Sequence, residues 1–333
     1  MLSFIVRRVV IMIPTLFFIS VISFAIINAP PGDILSVIMA QQQEMGQSIT
    51  QADIEHMEAM RVRYGLDRPI YEQYGRWITR IITQGDFGHS FNWNRPVSRI
   101  IRARFLYTLI LVFSAMVFMF VVAFPVGFIS AVKRYTFIDH FFTFFGFLGL
   151  AIPNFLFALV MLYLGYQLFG TVLGGFFSRE LADAPWSIAR VLDLARHLIV
   201  PTIVLGTAGT AGLIRIMRNN LLDELEKPYV MTARAKGVTY TRLLLKYPVR
   251  VAINPFLSTV GWLLPDLFSG AIVTSVVLSL PTFGPAFLES LQSQDMYLAG
   301  SFVLLFATMT VIGTLISDVL LAIADPRIRY DKV

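Results

Sequence analysis

The sequence predicts an all-α integral membrane protein with six transmembrane helices. It also predicts a large extracytoplasmic loop after helix 1 and a cytoplasmic helical segment between helices 4 and 5. Three observations carry this reading. Of 333 residues, 56% are hydrophobic and only 14% charged, and the mean hydropathy is +0.69. Apolar runs of about 20 residues recur, each long enough to cross a hydrocarbon layer about 30 Å thick. All 27 Lys and Arg fall outside those runs. A soluble domain would not carry such runs, and a β-barrel would show short alternating segments instead.

The spans read in order as Val9 to Ala29, Phe105 to Val132, Phe137 to Phe169, Leu198 to Ile214, Phe256 to Leu280 and Phe302 to Ala324. Basic residues in short loops set the orientation. Arg7 and Arg8 precede the first span, and Lys133 and Arg134 separate the second from the third. Arg215, Arg218, Lys227, Arg234, Lys236, Arg242, Lys246 and Arg250 lie between the fourth and fifth. Arg327, Arg329 and Lys332 follow the sixth. The alternate short loops are poorer, so both termini are predicted to be cytoplasmic. Two Arg before an apolar run also fit a cleaved signal peptide. This run is longer than the usual apolar region of such a peptide, and Pro30-Pro31 is a poor cleavage context, so the first span is predicted to stay.

The outer loop is predicted to be ordered. Residues 50–64 begin with an N-cap candidate, Thr50, and early acids, and end with Arg61 and Arg63, an order that suits the helix dipole. Tyr71, Tyr74 and Trp77 recur at helical spacing. The segment reads equally as a subdomain packed on the spans or as a docking face for an external partner.

Several chemistries have no residues to support them. Cysteine is absent, so there is neither a disulfide frame nor thiolate chemistry. His56, His89, His140 and His197 show no metal-ligand spacing, and no cofactor is implied. No lysine follows a glycine, which removes a phosphate-cradling Gly-Lys-Ser/Thr loop. The net charge of +6 reflects basic loops, so no nucleic-acid partner is expected. Ion-coupled carriers keep ionisable groups within their spans. Here Asp266, after Pro265, and Asp318, late in the sixth span, are the candidates. Asp266 reads either as a residue lining a path, facing a substrate amine, or as an acid that caps a helix break at Pro265 or bonds inside the bundle.

The loop from Arg215 to Arg250 is too long for a turn. Residues 219–226 read as helix, and Pro228 suits the first turn of a second one. From there Tyr229, Ala233 and Lys236 are predicted to share a face. Gly237 either ends the helix or admits another backbone. Small residues Ala233, Ala235 and Gly237 permit tight docking. Arg234, Lys236 and Arg242 suit an acidic groove or lipid headgroups, and an amphipathic helix lying on the inner leaflet is the competing reading.

Thr232-Ala233-Arg234-Ala235-Lys236-Gly237 resembles the coupling-helix signature of ABC importer permeases, Glu-Ala-Ala-x-x-x-Gly. Met231 stands at the Glu position and Thr232 at the first Ala, while Ala233 and Gly237 are in register. The form Tyr229-Val230-x-Thr232-Ala233-Arg234-Ala235-Lys236-Gly237 is similar to the oligopeptide/dipeptide branch. So are Tyr64 to Pro69, Gly85-Asp86-Phe87-Gly88 and Asp325 to Arg329. The Arg-Arg start and Pro30-Pro31-Gly32-Asp33 resemble the first permease of its pair.

The resemblance implies a transport subunit rather than an enzyme, in the bacterial inner membrane. Its implied organisation is a cytoplasmic N-terminus (1–8), a first transmembrane helix (9–29), an extracytoplasmic loop subdomain (30–104), a five-helix permease core (105–324) and a cytoplasmic tail (325–333). The core contains the coupling loop (215–250), with a coupling helix at about Pro228 to Leu245. Implied partners are a second permease, two ATP-binding subunits, an extracytoplasmic substrate-binding protein and membrane lipid. The loop around Phe283 to Tyr297 would join the outer loop in meeting the binding protein. Peptides are the implied cargo, with opines, glycosides and nickel chelates as other cargoes of the branch. An ion-coupled secondary carrier is the alternative function, and a membrane scaffold without transport is a third.

Overall fold

The computed structural model describes residues 2–29, 67–170 and 174–324, with scattered positions between 50 and 65. Among them α1 (Leu2–Ile27) is followed by α2 (Ile70–Gln84) and a two-residue hairpin, β1 (His89–Ser90) with β2 (Arg95–Pro96). Next come α3 (Val97–Val132), α4 (Phe137–Ala151), α5 (Asn154–Phe169) and α6 (Ile188–Leu225). Three shorter helices follow, α7 (Pro228–Ala235), α8 (Tyr240–Lys246) and α9 (Pro248–Ser258). The chain continues through α10 (Val260–Val277), α11 (Phe283–Gln292) and α12 (Met296–Ala324). Pro30-Pro31-Gly32-Asp33 and the tail from Asp325, with Arg327, Arg329 and Lys332, lie outside the described residues. In the expected 50–64 helix, the described positions Gln51, Ile54, Glu55, Glu58, Ala59 and Val62 are helical.

Five helices, α1, α3, α6, α10 and α12, are long and apolar enough to cross a membrane, and counting the bent α4–α5 pair as one span makes six. That pair corrects the predicted third span. Phe137 to Phe169 is not one straight helix but two segments bent by 102°. The cause is Pro153, which lacks an N–H and disfavours helical geometry in the residue before it. Ile152 accordingly sits at φ −91°, ψ 119°. The fourth span is likewise longer than expected, because α6 continues to Leu225 and absorbs residues 219–225, with Glu226 as its C-cap.

The fifth span is interrupted at Thr259, not at Pro265. The Thr259 hydroxyl donates to the Phe256 carbonyl at 2.7 Å, and its N–H reaches the same carbonyl at 3.4 Å. Such back-bonding competes with the helical ladder. Pro265 lies inside an unbroken α10.

The chain divides into two compact units. One comprises Val9–Tyr107 with Thr282–Met309. Its core gathers Phe24, Trp77, Val97, Ile100, Phe283, Tyr297 and Phe302. The Trp77 ring stacks on Phe24 at 5.3 Å, and Tyr74 meets Phe24 edge-on at 5.5 Å. Tyr71, expected on the same face, is 71% exposed. It lies six residues before Trp77, which is well short of two helical turns, so it rotates off the buried stripe. The hairpin is tied to the turn before α12 by the Ser90 hydroxyl, which donates to buried Asp295 at 2.6 Å.

The other unit comprises Met1–Arg8, Thr108–Pro281 and Thr310–Val333. Within it α6 packs against α4, α5, α9 and α10. Where α3 crosses α6, a Cβ on Gly127 would come within 2.9 Å of the Ile214 carbonyl oxygen, so only glycine permits that approach. Asp318 is not free in its span: it forms an ion pair with Arg8 at 3.1 Å.

Candidate functional site

The segment after α6 forms a small rigid platform. Lys227 is extended, and Pro228 opens α7 at its first position, where a missing N–H costs nothing. Ala235 ends α7, and Lys236 is its C-cap. Gly237 then turns left-handed at φ 76°. Its N–H reaches the Arg234 carbonyl at 3.0 Å, and the Val238 N–H reaches the Ala233 carbonyl at 3.4 Å. This bond pair is a Schellman motif, which glycine accommodates without strain. The coupling helix expected at about Pro228 to Leu245 is therefore two helices, α7 and α8, because the left-handed residue cannot continue a right-handed helix.

The platform has its own core. Val230, Ala233, Leu243 and Leu244 are buried together, with Val238 and Tyr247, and also Phe128 and Val132 of α3 and Leu225 of α6, packed against them. Ala233 faces inward, while Tyr229, one turn before it on the same side, stays 39% exposed, and Lys236 does not join them. Lys236 lies past the helix, where the 3.6-residue period no longer fixes its direction. Tyr229, Thr232, Arg234, Ala235, Lys236 and Gly237 are exposed, with Met231, Tyr240 and Leu245 exposed beside them. Arg234, Lys236, Arg242 and Lys246 make no ion pair among the described residues. The outward face is thus basic and studded with apolar side chains. Thr232 is occupied locally, donating to the Pro228 carbonyl at 3.0 Å.

Two links hold this platform to the helices around it. The Tyr229 hydroxyl donates to the Glu224 carboxylate at the end of α6. Burial, and then Glu224 itself, push the Tyr229 phenol above its ordinary pKa. Arg134, after α3, pairs with Glu226 at 2.7 Å. Deeper in, Arg218 grips Asp139 through Nε at 2.8 Å and Nη2 at 2.7 Å. Ser130 also donates to Asp139, as does the Tyr135 N–H at 2.9 Å. The sequence reading missed this pair. Thr136-x-x-Asp139 is a capping-box pattern and was the available signal. The box is incomplete, since the Thr136 hydroxyl bonds Lys133 instead.

Asp266 lies apart from the platform, within α10. It is exposed, and on α10 the other exposed positions are Trp262, Ser269 and Val273. Spacings of four, three and four residues place them on one stripe. Asp266 makes no hydrogen bond or ion pair among the described residues, so it neither caps a break nor bonds inside the bundle.

Residues 123–330 match the family described as "Binding-protein-dependent transport system inner membrane component". Residues 1–112 match the N-terminal region of such membrane components. The chain belongs to this family. It is 36% identical over 331 residues to the oligopeptide transport system permease protein AppB of Bacillus subtilis, covering 99% of this chain and all of that protein. It is 32% identical over 352 residues to the di/tripeptide transport system permease protein DppB of Pseudomonas aeruginosa, covering both chains fully. It is also 32% identical over 330 residues to the glutathione transport system permease protein GsiC of Escherichia coli K12, covering 99% of this chain and all of that one. It is therefore a multi-pass inner-membrane transport component that works within a larger system, not an enzyme.

Proposed function

We propose that this chain is one permease of an ATP-driven peptide importer, with both termini in the cytoplasm. Its implied assembly adds a second permease, two ATP-binding subunits and an extracytoplasmic substrate-binding protein. The α7–α8 platform docks on an ATP-binding subunit. The observation that carries this reading is the platform's exposed face: unpaired cations and apolar side chains on a pair of helices with its own core. Such a body passes its motion to the bundle, because Phe128 and Val132 of α3 and Leu225 of α6 pack on its core and the Tyr229 hydroxyl bonds Glu224. Closure of the ATP-binding subunits then shifts the bundle between inward-open and outward-open populations. The names of three relatives, for oligopeptides, di/tripeptides and glutathione, support a peptide cargo. On the outer side, α2, the hairpin and α11 would meet the binding protein.

Asp266 is assigned to the translocation path. A carboxylate against lipid is costly, and ionisable residues in spans face protein or water. With no partner of its own, Asp266 is suited to the cargo's ammonium group. The test is reconstitution with the co-purified subunits. Uptake that requires ATP hydrolysis supports the reading. Uptake by this chain alone that collapses with the proton gradient would replace it with an ion-coupled carrier.

A further inference from the structure

We propose that the cleft between α4 and α6 is a seat for the headgroup of an anionic phospholipid. The cleft measures about 560 Å³ and is distinct from both the platform and the Asp266 stripe. Its walls change character along their length. Phe144, Phe147, Ala211 and Ile214 line one part, while His140, Arg215 and Asn219 line another. Arg215 stands where the apolar stretch of α6 gives way to its polar end, which is the depth of a membrane interface. A site graded from aromatic to cationic at that depth matches acyl chain and phosphate in the same order.

The electrostatics favour an anion. Asp139 is also in the cleft wall, but both its oxygens are engaged by Arg218, so its charge is neutralised locally. Arg215 makes no ion pair among the described residues. Its guanidinium carbon lies 4.8 Å from the centroid of the Phe147 ring. This cation–π contact orients the group without neutralising it. One uncompensated planar donor fork therefore faces the cleft, suited to bidentate contact with a phosphate. Asn219 supplies a neutral amide. The His140 Nδ1 lies 2.8 Å from the Thr136 carbonyl, so with Nδ1–H bonded there, Nε2 adds a donor only when the ring is protonated.

Native mass spectrometry of the full-length chain, purified in its own assembly from nanodiscs of mixed phosphatidylglycerol and phosphatidylcholine, tests this. The wild type is expected to retain phosphatidylglycerol selectively. Arg215→Gln should weaken that retention about fivefold, the effect of one cation near an anionic surface. Arg215→Lys should weaken it less, because the charge stays while the fork is lost, and the control Arg250→Gln should keep it. No preference for phosphatidylglycerol in the wild type would overturn the proposal whether or not any variant folds. Equal retention by Arg215→Gln would overturn it as well. Displacement of the lipid by inorganic phosphate would mark the cleft as a soluble-anion site and overturn the lipid assignment. Retention unaffected by phosphate supports it.

Discussion

Arg218 holds Asp139 by two parallel bonds, at 2.8 and 2.7 Å, and so ties the start of α4 to α6 about two turns before α6 ends at Leu225. The Asp139 side chain is 4% exposed and that of Arg218 is 22% exposed. Breaking a pair of this kind leaves a buried charge uncompensated and costs about 3–5 kcal/mol. The partial exposure of Arg218 places this pair near the lower end. Arg218→Gln is expected to lower the melting temperature in detergent. The double variant Asp139→Asn with Arg218→Gln should recover part of the loss. Additive losses would show that the two residues do not act as a pair.

Gly237 bears on the platform's shape. A β-carbon there would meet nothing within 4 Å, so the constraint is its φ of 76°. A bulky L-residue in that conformation costs about 1–2 kcal/mol. Gly237→Leu should insert normally but lose ATP-dependent uptake, because the turn between α7 and α8 is disturbed and bulk is added to the docking face. Gly237→Asn, which tolerates left-handed geometry, should keep most of it. Normal uptake by the Leu variant would remove the coupling role from this segment.

Asp266→Asn keeps the side chain's size and removes its charge. The ratio of uptake for peptides with a free amino terminus over N-acetylated ones should fall about tenfold, the worth of one charge-assisted hydrogen bond. An unchanged ratio would sink the assignment to the path.

Asp295 gives a pH signature. Burial raises its carboxyl pKa above the ordinary value, although bonds from Ser90 and the Leu298 N–H pull the other way. A group whose folded pKa is raised binds more protons when folded. Its stabilising contribution is full below the unfolded value and disappears as pH rises through the folded one. Asp295→Asn retains a Leu298 acceptor and a Ser90 partner. Its melting temperature should fall less than that of the wild type as pH is raised from acid towards neutral. Parallel curves for the two proteins would refute this.

The sequence alone determined the class and the presence of five to six helices apolar enough to cross a membrane. Long apolar runs and the exclusion of Lys and Arg from them are local composition, and a bilayer reads composition directly. It also determined the start of α7, because Pro228 dictates its own φ, but it left open whether Gly237 ends that helix or admits another backbone. The inward direction of Ala233 was decided by a contact with Leu243 and Leu244 across a turn, which no helical period reports. Tertiary structure likewise decided the 102° bend at Pro153. Proline in a membrane helix can be absorbed, as Pro265 is in α10, and neighbouring packing selects between the outcomes. Asp139 and Arg218 are 79 positions apart, and they meet only because α4 packs on α6.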